Sequence, residues 1–156
     1  MSSQRRVLPD VLGVCREIHD RCAVVLIGSV ARGGERPNSD IDLNIIFPGD
    51  ELPQQTHRYV DDDNRWQLQL KDEIRGVRID VAWETESELM RHVTGDDVIH
   101  CWPFSNGVIL HDPYDIASPS LKIAQQWFAE RPEIGARIEQ QYDDAKSKQR
   151  QRQRSG

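Results

Sequence analysis

The sequence is poor in the features that mark disulfide, zinc and membrane proteins. It has three cysteines, Cys15, Cys22 and Cys101, with no C-x-x-C spacing among them. An odd count without a framework excludes a disulfide scaffold and points to reduced thiols. The five histidines (His19, His57, His92, His100, His111) form no H-x-x-x-H pair and no paired Cys/His pattern, so a structural zinc site is not expected. No apolar run approaches the roughly 18 residues that a membrane span needs. Pro9 and Asp10 interrupt the apolar stretch behind the basic start, so neither a secretory signal peptide nor a membrane partner is expected. The expected location is cytoplasmic.

What is present suits one compact domain: 156 residues, 37% hydrophobic and 29% charged. Charge is unevenly spread. The chain holds 26 acids and 20 bases, yet residues 145–156 carry five bases (Lys146, Lys148, Arg150, Arg152, Arg154) and no acid. The remaining body is therefore at −11. Such a body repels a nucleic-acid backbone, so duplex DNA is not an expected partner. Acids gathered in one site would instead attract divalent cations.

Hydrophobic periodicity gives the order of elements. Val11, Val14, Cys15 and Ile18 recur at helical spacing, which predicts a helix over Val7 to Arg21. Cys22 to Ile27 reads as a buried strand stopped by Gly28, and Ile41 to Phe47 as a second strand. Asp50 to Asn64 reads as loop with one helical turn. Trp66 to Lys71 and Val77 to Trp83 both alternate, with Gly76 between them, and predict a hairpin. A helix over Glu84 to His92 and a short strand over Gly107 to Leu110 follow. Ser118 and Pro119 read as N-cap and N1 of a helix through Glu130, and Pro132 opens another. The expected fold is α/β (α+β): a mixed, mostly antiparallel sheet of four to five strands with helices on one face and two C-terminal helices. The expected division is a domain over 1–144 and a basic, disordered tail over 145–156.

One constellation carries chemistry. A strand ends in Gly28-Ser29, a short glycine-containing segment follows, and Ser39-Asp40-Ile41-Asp42-Leu43 opens the next strand. Residues two apart on a strand project from one face, so Asp40 and Asp42 point together. Adjacent carboxylates repel unless a cation lies between them. Asp80, flanked by Ile79 and Val81, is a third acid on an alternating strand. If that strand packs beside the first pair, three carboxylates converge. Such a triad can hold two Mg²⁺ ions roughly 3.5–4 Å apart.

At these residues the chain resembles the nucleotidyltransferases of the DNA polymerase β superfamily, and more narrowly the small bacterial nucleotidyltransferase-domain (minimal nucleotidyltransferase-like) proteins. The shared pattern stands here as Gly28-Ser29-Val30-Ala31-Arg32-Gly33, then Ser39-Asp40-Ile41-Asp42-Leu43, then Ile79-Asp80-Val81. The resemblance implies that Asp40, Asp42 and Asp80 are catalytic and bind two Mg²⁺ (or Mn²⁺) ions, Asp80 also helping to deprotonate the acceptor. It implies that Gly28, Ser29 and Arg32 bind the nucleotide. The implied reaction moves a nucleoside monophosphate from an NTP to an acceptor hydroxyl, with release of pyrophosphate. The chain after the sheet is short and lacks the helical second domain of many larger relatives, which favours a protein acceptor or a site completed by another subunit. The alternative reading is an antitoxin that binds or nucleotidylates a helical HEPN-type RNase partner.

Other features read blandly. Asp61-Asp62-Asp63 is a solvated acidic run, and Ser39 a turn residue. Trp66, Trp83, Trp102, Trp127 and Phe128 are packing groups, with Trp83 on the strand face opposite Asp80. His111-Asp112 ends a strand in a turn.

Overall fold

The computed structural model describes residues 1–17, 20–53 and 76–155. The elements run α1 (Ser3–Arg16), β1 (Ala23–Ile27), α2 (Gly28–Arg32), β2 (Ile41–Phe47), β3 (Ile79–Thr85), α3 (Glu86–Thr94), α4 (Val98–Ser105), β4 (Val108–His111), α5 (Ser118–Ala129) and α6 (Pro132–Ser155). The expected loop over Asp50 to Asn64 lies largely outside the described residues, as do the strand over Trp66 to Lys71, the acidic run at 61–63 and Trp66.

Among the described residues the strands form one sheet in the order β3-β2-β1-β4. β1 pairs antiparallel with β2 and with β4, and β2 pairs parallel with β3. The sheet is mixed and mostly antiparallel, as the sequence predicts. Its centre is a strand pair apolar on both sides. Val24, Leu26, Leu43, Ile45 and Phe47 join Val7, Val11 and Cys15 of α1 in one core, and Trp83 packs against it. Ala23, Val25 and Ile46, on the other side, meet Leu89, Val93, Trp102, Phe104, Leu121, Phe128 and Ile138. Strands that alternate apolar residues on both faces need a cover on each. The expectation of helices on one face therefore holds for α3 to α6, and α1 closes the opposite face.

Three boundaries differ from the sequence reading. α1 starts at Ser3 because the Ser2 hydroxyl accepts from Arg5 N–H, and Pro9 lies inside the helix rather than at its start. The N-cap of α5 is Ala117, which places Ser118 and Pro119 inside the first turn. The capping oxygen comes from further back: the Asp112 carboxylate accepts from the backbone N–H groups of Ile116 (2.8 Å), Ala117 (3.0 Å) and Ser118 (2.9 Å). Asp112 is a turn-and-cap residue, in line with the bland reading of His111-Asp112. Last, α6 continues to Ser155, where a disordered tail was expected from the lack of an apolar stripe. Its Ala, Lys, Gln and Arg residues are good helix formers, and extending a packed helix avoids the cost of a new nucleus. Residue 144 thus falls within α6.

Candidate active site

The site is built where β1, β2 and β3 begin or end side by side. β1 ends at Ile27, opposite Asp42, and turns at once into the five-residue α2. Gly28 makes that turn with φ +75°, a left-handed conformation that costs a residue with a Cβ about 1–2 kcal/mol. Space excludes a side chain there as well: a Cβ on Gly28 would overlap Asp42 Oδ2. Backbone and carboxylate are therefore packed as closely as glycine alone permits.

α1 fixes the segment between α2 and β2. Gln4, 1% exposed, donates its Nε2 to Arg36 O (2.9 Å) and Ser39 O (2.8 Å). Arg5 donates to Glu35 Oε1 (2.8 Å) and to Val30 O (2.6 Å). Ser39 Oγ accepts from Arg36 N (2.8 Å), which makes Ser39 the turn residue it was read as. The loop enters β2 through Ile41 N–H, which donates to Arg78 O at 2.9 Å. Gly28 and Asp40 thus stand on chain ends anchored by side chains more than twenty residues away.

The parallel register completes the arrangement. Asp42 lies opposite Asp80, and Ile41 opposite Ile79. Neighbours in a parallel ladder point to the same face with backbones about 4.8 Å apart. The two carboxylates therefore sit side by side, and Asp40 lies two residues before Asp42, just outside β2. Burial, then Asp80, then Asp40 push the Asp42 carboxyl up to about 6, against a partial pull downward from Lys146 and Arg32.

A cleft of about 320 Å³ opens over these residues. Gly28, Arg32, Asp42 and Asp80 line it, together with Asn44, Trp102, Tyr142 and Lys146. Ser29 and Asp40, both half-buried, flank the cleft without lining it. The Arg32 guanidinium lies 4.9 Å from the centre of the Trp102 ring, and its Nε is 4.0 Å from Glu139 Oε1. Asn44, 5% exposed, has an Oδ1 with no hydrogen-bond partner in the described structure.

Sequence reasoning missed Trp102, Tyr142, Lys146 and Asn44 as wall residues. Trp102 does pack in the core, as expected, but the same ring also faces the cleft. Lys146 was missed because the tail was assigned to solvent. Beyond Asp42, the polar Asn44 inside Ile41 to Phe47 is the residue in that strand whose character marks a wall of the cleft.

The nucleotidyltransferase domain family matches residues 8–101, more than half of the chain. The chain belongs to this family. Two solved structures are similar to the chain at low identity. One is a toxin–antitoxin crystallised with AMP-PNP, at 18% identity and TM-score 0.45, covering 83% of this chain and 96% of that one. The other is a mutant of the toxin–antitoxin MntA-HpeT, at 16% identity and TM-score 0.44 with the same coverage. No curated protein matches this nucleotidyltransferase-domain chain.

The donor set suits a hard divalent cation, because Mg²⁺ and Mn²⁺ prefer carboxylate oxygen. Among the described residues, no three acid, histidine or cysteine side chains are already closed around one point. Asp42 and Asp80 are register partners, and Asp40, just before β2, acts on Asp42 through its charge.

Proposed function

We propose that the protein is a metal-dependent nucleotidyltransferase that transfers a nucleoside monophosphate from an NTP to an acceptor hydroxyl. The observation that carries this reading is the Asp42–Asp80 register beside Gly28. It gives two carboxylates on rigid strands and a glycine backbone packed directly against one of them.

Asp40, Asp42 and Asp80 would hold two Mg²⁺ or Mn²⁺ ions, which when bound lower the pKa of the attacking hydroxyl and offset charge on the triphosphate. Asp80 takes the acceptor proton. The acceptor oxygen forms a bond to the α-phosphorus, the bond to the bridging oxygen breaks, and its electron pair leaves with pyrophosphate. Gly28 and Ser29 receive the β- and γ-phosphates on backbone N–H groups at the start of α2. Arg32, held against Trp102 and Glu139, offsets charge on the leaving pyrophosphate.

The acceptor we favour is a protein. The cleft over Asp42 and Asp80 opens at the surface, where a second macromolecule can present its hydroxyl. A second reading, an antitoxin that binds or nucleotidylates a helical RNase partner, is favoured by the acidic body, which suits a basic surface.

The test is calorimetric binding of each NTP with Mg²⁺ to the wild type and to Asp40→Asn/Asp42→Asn. Binding by the wild type and none by the variant supports a working nucleotide site. No binding by the wild type sinks the transferase reading and leaves the partner-binding one.

A further inference from the structure

α6 lays one face across the cleft. A Cβ on Gly135 would meet Phe128 at 3.5 Å and Trp102 Nε1 at 3.8 Å, so the helix is close-packed there. Ile138 is buried in the second core. Glu139 reaches Arg32, and the Tyr142 ring stacks on Trp102 with centres 5.1 Å apart. Lys146 follows and lines the cleft beside Asp42 and Asp80. These positions recur at three- and four-residue spacing, which places them along one side of a helix. Lys148, two residues on, turns away from that side and is exposed.

We propose that Lys146 is a nucleotide-binding residue whose ammonium contacts the β- and γ-phosphates of the bound NTP and the pyrophosphate that leaves. The inference rests on the nucleotidyl-transfer reading above and adds α6 to the substrate site. Packing through Gly135, Ile138 and Tyr142 delivers the Lys146 backbone to the rim, and the four-carbon stem carries a mobile point charge inward. With no nucleotide bound, this charge faces the carboxylates and offsets part of their field. Divalent cations at the triad remove that attraction, and the ammonium is then set beside a polyanion that Arg32 alone does not neutralise. Arg32 is already tied to the Trp102 face and to Glu139, whereas an ammonium on a flexible stem can follow the phosphates as pyrophosphate departs.

Opposite effects on two ligands separate this role from a structural one. Removing a cation that faces the triad leaves the acids more negative, so Lys146→Ala binds Mn²⁺ alone at least as tightly as the wild type. The same variant binds NTP with Mg²⁺ about tenfold more weakly, a loss of about 1.4 kcal/mol. Lys146→Arg, which keeps the charge, recovers most of the NTP affinity. Lys148→Ala, an equal change of net charge, leaves both affinities within about twofold. Calorimetry with Mn²⁺ and with each of the four NTPs reads all of these, and alanine at an exposed helix position does not threaten folding. Equal NTP affinity in Lys146→Ala and Lys148→Ala overturns the assignment, and so does a parallel loss of Mn²⁺ and NTP binding. In both cases a wild type that binds NTP leaves the transferase reading standing. A wild type that binds no NTP overturns both.

Discussion

Two acids on one face of β3 differ in what surrounds them. Asp80 lies opposite Asp42, and Glu84, four residues along, lies opposite Ile46. Each end has a carboxyl shifted upward by burial first and by a neighbouring acid second: Asp42 to about 6 through Asp80, and Glu84 to about 7 through Glu88. The triad end has an open cleft, Gly28 in contact distance, and Arg32 and Lys146 on the far wall. The other end is closed by histidines. His92 Nε2 stands 3.7 Å from Glu84 Oε1, and His92 stacks on His100 with centres 5.3 Å apart. Glu84 Oε2 is buried without a hydrogen-bond partner in the described structure. A shifted acid is thus no mark of catalysis by itself. The cleft, the glycine turn and the cations opposite are what distinguish the proposed site from a buried acid pair.

The sharpest break between the two ends is chemical. Asp40→Asn/Asp42→Asn keeps side-chain shape and removes the charge that a divalent cation needs. Transfer of label from NTP should fall by more than about a thousandfold, in the range lost when electrostatic stabilisation of a transition state is removed. Glu84→Gln should leave transfer within about twofold. A Glu84→Gln variant as inactive as the double mutant would erase the distinction.

Gly28→Ala probes the close approach directly. A methyl group there strains a backbone at φ +75° and overlaps Asp42 Oδ2. We expect a stability loss of about 1–3 kcal/mol, seen as a lower midpoint in urea. NTP affinity should fall at temperatures where the variant is fully folded. Gly33→Ala is the matched control, with the same φ but nothing within 4 Å of its added Cβ, so it should lose stability and keep affinity.

How much of this was legible beforehand follows from what each element uses. β1 and β2 are apolar runs bounded by glycine and proline, so period and punctuation locate them without tertiary knowledge. Strand periodicity alone led to the expectation that Asp40 and Asp42 share a face, and the structure starts β2 one residue after Asp40. That Asp80 meets Asp42 depends on parallel register, which a separation of 38 residues along the chain does not encode. The N-cap of α5 was misplaced because the capping carboxylate, Asp112, sits six residues before Ser118. The extension of α6 through the basic tail was missed for a similar reason. Its polar C-terminal half has no stripe of its own, and Lys146 enters the cleft only because Gly135 and Ile138 dock the preceding turns.

The smallest expected effect is the most discriminating, because it concerns stability and its reversal. A carboxyl whose folded pKa lies above its unfolded value favours the folded state most when protonated. For Asp42 this contribution is complete below about 3.8 and is lost as pH rises through about 6. For Glu84 the window runs from about 4.5 to about 7. Asp42→Asn and Glu84→Gln should therefore each stabilise the metal-free protein at pH 8, by about 1–3 kcal/mol at most, and by nothing near pH 4. Thermal unfolding at both pH values reads this, and at pH 8 the two variants look alike. Adding Mg²⁺ with NTP separates them. Ligand that binds only the folded state raises the melting temperature in proportion to its affinity. The wild type and Glu84→Gln should both rise, whereas Asp42→Asn, having lost the charge that binds the cation, should not. The same substitution that stabilises the bare fold then forfeits the stabilisation that substrate would bring, as expected where an acid is held in place for a cation and against the preference of the fold itself.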